Sequence, residues 1–347
     1  MAVVIYHRIS KIPRSLILLS FVILVLISVP LRCGRGLCGL LGDRTITIPV
    51  DVLVPKRRDV ELVLGKLKRE DTEWVAKYLP DWPSSIYVVD DPKAKLTVAV
   101  NKGREAMVYL TYIIDRYDSL PDTTVFVHAS RFQWHNDNPD YDNLLSLRNL
   151  SLPYIRQEGY VNLRCVWVLG CPSEMHPVED EKEAAGKPKE ELSTKGVFKK
   201  AFEEFMPNST VPTKVGVPCC SQFAVTKDTI RQRPKDDYIR IRDWLIHTDL
   251  SDDLSGRVLE YSWHSRHMCY NKYLCRSLTS LLVIFGKEAV HCPSAADCYC
   301  KLYGLCGLNC TSKSCDGRYT LPPYSTLPKE WPVKGWEGEA RQYESPF

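Results

Sequence analysis

Apolar residues run through this chain in short blocks of four or five, broken by charged and turn-forming residues. Residues 61–65 (ELVLG), 86–89 (IYVV), 96–100 (LTVAV), 123–127 (TTVFV) and 222–226 (QFAVT) are of this kind. Such blocks, rich in β-branched and aliphatic residues, predict buried strands. Helical spacing appears between them. Residues 72–78 predict a short helix that Pro80 ends. Residues 101–105 (NKGRE) open the strongest helix, with Ala106, Tyr109, Leu110, Ile113 and Tyr117 on one stripe. Val197, Phe198, Ala201, Phe202 and Phe205 mark another amphipathic helix. Residues 236–246 read as a helix, and 259–284 as helical in part. The order strand, helix, strand, strand, helix, strand predicts an α/β domain with a mixed, largely parallel sheet and flanking helices. Residues 178–196 are polar and of mixed charge, which fits a surface insertion, and no internal repeat is visible.

The N-terminus departs from this pattern. Residues 15–31 (SLILLSFVILVLISVPL) carry no charge, and Arg8, Lys11, Arg14, Arg32 and Arg35 flank them. The span is near the lower length for a transmembrane helix. Without a small-x-small cleavage pattern close behind it, it reads as a signal anchor; a cleaved signal peptide and a secreted product are the alternative. The expected layout is a cytosolic tail over 1–14, a membrane span over 15–31 and a stem over 32–59. A lumenal domain follows over 60–320, then an extended tail over 321–347. This makes a single-pass type II membrane protein of the secretory pathway. Five of the 46 basic residues precede residue 36, leaving 41 against 42 acidic ones, so the domain lacks the positive charge of a nucleic-acid binder.

The 14 cysteines strengthen the lumenal reading. Six crowd into residues 292–315, and no CxxC pair of the kind zinc sites use occurs anywhere. Disulfides and an oxidising compartment follow. The sequons at Asn149, Asn208 and Asn309 agree. At least two disulfides are expected within 269–315, and one joining Cys165 to Cys171 or to the Cys219-Cys220 pair. Adjacent Cys219 and Cys220 are expected to diverge, because a bond between neighbours is strained. The segment 292–315 has few large apolar residues and is expected to rely on cross-links rather than on a core.

Four groups could carry chemistry. Asp90 and Asp91 close an expected strand, where adjacent carboxylates suit a divalent metal or a ribose. Asn101, Gly103 and Arg104 stand at a helix N-terminus, where free N–H groups favour anions and Arg104 could clamp a phosphate. His128, Trp134, His135 and Asp137 follow a strand. Imidazole with carboxylate suits acid–base work or a metal held by His135 and Asp137, and Trp134 suits stacking on a base or sugar. Glu260, Trp263 and His264 share a face at helical spacing, and a carboxylate beside a Trp can serve as acid or base. Each has an ordinary structural reading: a solvated turn, a cap, a polar loop, a Trp-cemented helix. GxSxG, HExxH and Walker motifs are absent.

The blocks NKGREAMVYLTYIIDRYDSLPDTTVFVHASRFQWHND, CCSQFAVTKDTIRQRP, LEYSWHSRHM and IFGKEAVHCPSAADCYCKLYG occur in that order. They resemble a fungal family catalogued as domain of unknown function 3431, over about residues 61–310. The run from the NKGRE helix to a strand ending at His128 is also similar to glycosyltransferases of the GT-A type. That second resemblance implies a nucleotide-sugar on the sheet and Mn2+ or Mg2+ held by a DxD motif after a strand. His128 and Ser130 stand where acids would be expected, and no clean DxD is read. With the anchor and stem, the α/β order and the NKGRE anion site, the expectation is a Golgi transferase acting on glycans, with Arg104 on diphosphate, Asp90 or Asp91 on nucleoside or metal, Glu260 as base, and His128 and His264 beside it. The alternative is a non-catalytic lumenal carbohydrate-binding or partner subunit.

Overall fold

The computed structural model describes residues 59–207, 209–264, 284–285 and 289–343. The expected membrane span, the stem, Cys33, Cys38, Asn208, Cys269 and Cys275 lie outside the described residues. Among the described residues no helix is long and apolar enough to cross a membrane.

Five strands form one sheet: β1 (Val60–Lys66), β2 (Ser84–Val88), β3 (Thr123–His128), β4 (Tyr160–Asn162) and β5 (Phe223–Thr226), in the order β2-β1-β3-β5-β4. β1 pairs in parallel with β2 and β3. β5 runs antiparallel between β3 and β4, so the sheet is mixed, with one reversed strand. Strand alternation explains why both faces are covered. Val63, Phe126, Phe223 and Val225 point to one core. Val60, Leu62, Leu64, Val125, Val127 and Ala224 point to the other.

The first core is closed by α2 (Ala106–Arg116), α6 (Thr194–Phe205), α8 (Lys235–His247) and α9 (Asp252–Glu260). Residues 106–114 are all buried, because α8 and α9 cover the side of α2 that the sheet does not. The single-stripe expectation for α2 was therefore too narrow. The second core is closed by α1 (Glu73–Tyr78), α3 (Asn143–Arg148), α4 (Leu152–Glu158) and α10 (Ala295–Tyr303). The polar stretch forms α5 (Pro177–Ala184), packed on α6, and a 3-10 turn at Lys189–Glu191. α7 (Lys227–Arg231) follows β5 directly, capped by the Thr226 hydroxyl.

Residues 96–100 do not form the expected strand. The Leu96 carbonyl accepts the Val88 N–H and the Thr97 hydroxyl donates to the Val88 carbonyl, after which Val98 turns into the core. One strand-like contact on the edge of β2 is all the Asp90-Asp91-Pro92 turn leaves room for. The cysteine-rich segment also differs from expectation. Ala295, Cys298, Tyr299 and Leu302 of α10 enter the second core, so this segment shares the domain's core instead of depending on cross-links alone.

Two disulfides lie within it, Cys300–Cys306 and Cys310–Cys315, as expected. The others correct the expectation. Cys165 pairs with Cys298 and Cys171 with Cys292, stitching the stretch after β4 to the C-terminal segment. Cys219 and Cys220 bond to each other. The backbone accommodates that neighbour pair with φ +91° at Cys220 and +48° at Ser221. The tail is extended but docked. The Trp331 indole donates to the Asp140 carbonyl, Arg341 pairs with Asp140, and the Tyr343 hydroxyl donates to Asp142.

Candidate functional site at the sheet edge

The chain leaves β1 for β2 on one side and returns to β3 on the other. Open α/β sheets bind ligands outside the carboxyl ends of strands at such a reversal. His128 ends β3 there. Because β5 is antiparallel, its entry residues, Cys219 to Gln222, reach the same edge, and β4 leaves through Asn162 to Arg164. Glu260, the last residue of α9, joins them.

Two functional side chains are held by one residue's backbone. The Cys220 N–H donates to Glu260. The Cys220 carbonyl accepts from His128 Nε2 at 2.8 Å, which fixes the proton on that nitrogen because a carbonyl only accepts. Gln222 completes the frame. Its Oε1 accepts the His128 N–H at 3.1 Å, and its amide donates to the His135 carbonyl and to Asn136 Oδ1. The His128 and His135 rings stack 4.6 Å apart, and Trp134 lies 4.1 Å from His135. Successive left-handed conformations at Cys220 and Ser221 are costly for residues with a Cβ and persist only where the surroundings impose them.

Burial pushes the Glu260 carboxyl up, against Arg257, the Cys220 N–H and His128, which favour ionisation; Glu105 reinforces the rise. Its side chain stays 11% exposed, with Arg257 Nε 3.8 Å away. Burial, aided by His128, Arg164 and Arg257, lowers His135 to about 2 and keeps it neutral. The edge thus holds a carboxyl inclined to keep its proton, two stacked imidazoles, a cation and a half-buried Trp. Such a set can exchange a proton with a hydroxylated ligand.

The remaining predicted residues scatter. Asp90 accepts the Lys68 N–H and Asp91 pairs with Lys68 Nζ at 3.3 Å, bracing the end of β1. Hydrogen bonding from the Lys93 N–H, then Lys68, holds the Asp91 carboxyl below its usual range. The 101–105 loop faces anions of its own chain. Gly103 N–H donates to Asp252 at 3.2 Å, Arg104 pairs with Asp253, and Lys102 donates to the Thr248 carbonyl. Gly103, at φ +68°, packs against Leu245, where a Cβ would clash. Asn101 is exposed beside them.

His135 and Asp137 do not form a metal pair. Asp137 turns inward, accepting the Cys165 and Val166 N–H groups and the Tyr299 hydroxyl. Among the described residues no group of three or more His, Cys, Asp or Glu is placed to hold a metal ion. His264 also leaves the cluster, because α9 stops at Glu260. Its Nε2 donates to the Ala289 carbonyl, it is fully buried, and burial lowers it to about 4. Trp263 packs among Tyr109, Phe223 and Phe285.

Sequence reasoning overlooked a DxD triplet, Asp140-Tyr141-Asp142. Both carboxylates are in use. Asp142 receives two hydrogen bonds from Arg131 and caps α3, and Asp140 holds Arg341. It also missed Arg257, one turn before Glu260 on the same helix, and the Cys219–Cys220 bond, for which adjacency was the only signal. Gln222 and Arg164 carried no motif at all. An open cleft of about 640 Å3 lies elsewhere, between α5, α6 and the end of α8, and shares no residue with this edge.

Residues 62–301 match the family described as "Protein of unknown function (DUF3431)". The chain belongs to that family. No curated protein and no solved structure matches it.

Proposed function

We propose that this member of the family is a glycosyltransferase-like, carbohydrate-active protein of the secretory pathway that works without a DxD-held metal, with Glu260 as its acid–base group. The observation that carries this reading is the joint hold of Cys220 on Glu260 and His128 at the carboxyl edge of the sheet. Glu260 exchanges a proton with a glycan hydroxyl, His128 orients it, and Trp134 offers a face to a sugar ring. Arg257 supplies the nearby positive charge for a nucleotide-sugar. Five disulfides among the described residues support folding in an oxidising lumen, with residues 15–31 as a Golgi-type anchor.

Isothermal titration of the full-length chain against nucleoside-diphosphate sugars, with and without manganese, tests the reading. Binding that Glu260→Gln does not remove, followed by turnover in wild type only, supports it. Absence of binding to every donor sinks it.

A second reading is a non-catalytic lumenal carbohydrate-binding or partner subunit. The observation favouring it is that the 101–105 loop, Asp140 and Asp142 are all satisfied internally. It predicts glycan binding without turnover.

A further inference from the structure

Arg164 is 2% exposed, and among the described residues no carboxylate pairs with it. Its Nη2 donates to the Trp134 carbonyl at 3.0 Å and the His135 carbonyl at 2.7 Å. Nε and Nη1 have no partner, so three of the five guanidinium N–H groups are unused. Buried polar groups are almost always hydrogen-bonded, and a buried cation without a partner is costly.

The groups around it sharpen the point. The guanidinium carbon lies 4.0 Å from the centre of the Tyr319 ring and 6.0 Å from that of Trp134. The Tyr319 hydroxyl is buried close enough to the guanidinium for Arg164 to oppose the rise that burial gives it, yet neither it nor His135 Nδ1 makes a well-formed hydrogen bond. The nearest acid on the neighbouring loop, Asp137, has both oxygens engaged by Cys165, Val166 and Tyr299. A cation, a free hydroxyl and a free imidazole nitrogen therefore sit together with no acceptor assigned to them. Trp134 and His135, both half-buried, are the members that reach solvent.

We infer that Arg164, with Tyr319 and His135, forms an oxyanion-binding subsite, taking a carboxylate or phosphate group of the ligand that enters past Trp134. This rests on the proposed carbohydrate site and narrows its ligand to an acidic one: a uronic-acid sugar, or the phosphate of an activated sugar. The oxyanion supplies acceptors for the unused N–H and O–H groups and neutralises the buried charge. Charge-assisted bonds of this type are about twice as strong as neutral ones. Trp134 lies against the guanidinium on one side and His135 on the other, so an acidic group bound to Arg164 puts its sugar beside the His128–Glu260 pair.

The test is thermal melting and titration of the full-length chain with three probes: inorganic phosphate, glucuronate and glucose. Phosphate or glucuronate, but not glucose, is expected to raise the melting temperature and to bind with one-site stoichiometry. Stronger binding of glucuronate assigns the subsite to an acidic sugar; stronger binding of phosphate assigns it to the donor. Tyr319→Phe keeps the ring that packs on Arg164 and removes only the hydroxyl, so it is expected to fold and to bind the anion several-fold more weakly. Arg164→Lys keeps the charge but loses the planar fork, and is expected to weaken binding at least tenfold. If neither anion shifts the wild-type protein, or if Tyr319→Phe and Arg164→Lys both bind as wild type does, the subsite is overturned. Anion binding without sugar transfer leaves the subsite standing and removes the transferase reading. Transfer indifferent to both substitutions does the reverse.

Discussion

Two loops at the same sheet edge treat their polar groups in opposite ways. The loop before α2, Asn101 to Glu105, has the look of an anion site, yet Asp252, Asp253 and the Thr248 carbonyl satisfy Gly103, Arg104 and Lys102. The loop after β3 holds Trp134 and His135 over Arg164, and there buried donors remain without acceptors. Motif chemistry marked both loops equally. What separates them is whether another part of the fold arrives with the opposite charge. An anion-like motif that meets its own chain's carboxylates is a joint between elements; unmatched buried donors are the better sign of a ligand.

The sharpest break of this comparison is at Asp142, which resembles a metal ligand by its DxD spacing but behaves as a joint. Asp142→Ala leaves Arg131 buried without its partner and removes the α3 cap. A loss of about 3–5 kcal/mol is expected in denaturant unfolding. If stability holds and only a manganese-dependent activity disappears, Asp142 belongs to a metal site instead.

Glu260→Gln is next in size. It should reduce sugar transfer by about a hundredfold or more, the usual scale for an acid–base group. It should also alter stability with a defined sign. Glu260 has its folded pKa raised, so stability falls as pH rises from its unfolded value toward its folded one. Gln cannot ionise, so melting temperatures above about pH 4.5 should decline less in the variant. An unchanged pH profile would remove Glu260 from its buried role.

His135 gives a smaller effect of the opposite sign. Its folded pKa lies near 2 and its unfolded value near 6.5, so protonation favours the unfolded chain and stability rises with pH across that interval. His135→Gln should flatten the pH dependence of melting between pH 4 and 6.5, the variant gaining most relative to wild type at the acid end. A slope equal to that of wild type would mean the ring is open to water.

The smallest effect is expected at Arg104. Its pair with Asp253 is exposed on both sides, and such pairs contribute about 0–1 kcal/mol. Arg104→Ala should leave donor binding within about twofold of wild type. A tenfold loss would return the 101–105 loop to the role its motif implied.

Much of the frame was legible in the chain. Four of the five apolar blocks are strands and four helical spacings are helices, because buried runs and amphipathic stripes are local properties. β4, with three residues, was too short to give a period, and α3 and α4 were masked by the polar residues around them. The signal for α10 was present: Ser294 and Asp297 form a reciprocal cap, which cysteine crowding obscured. Of the site, Glu260, His128, Trp134 and His135 were marked by residue type and do converge. Asp137 and His264 were marked by the same rule and turn inward.

The sequence by itself determined the alternation that buries both faces of the sheet, the helix caps and the presence of paired cysteines. Only the tertiary structure decided which cysteines pair, because Cys165 and Cys298 are 133 residues apart and meet through the packing of α10 on the second core. It alone decided which charges are spent. Arg104 and Arg164 are the same residue type, each beside a loop rich in polar groups. One meets Asp253 from α9 and the other meets none, and a partner that arrives from a distant element leaves no trace in local spacing.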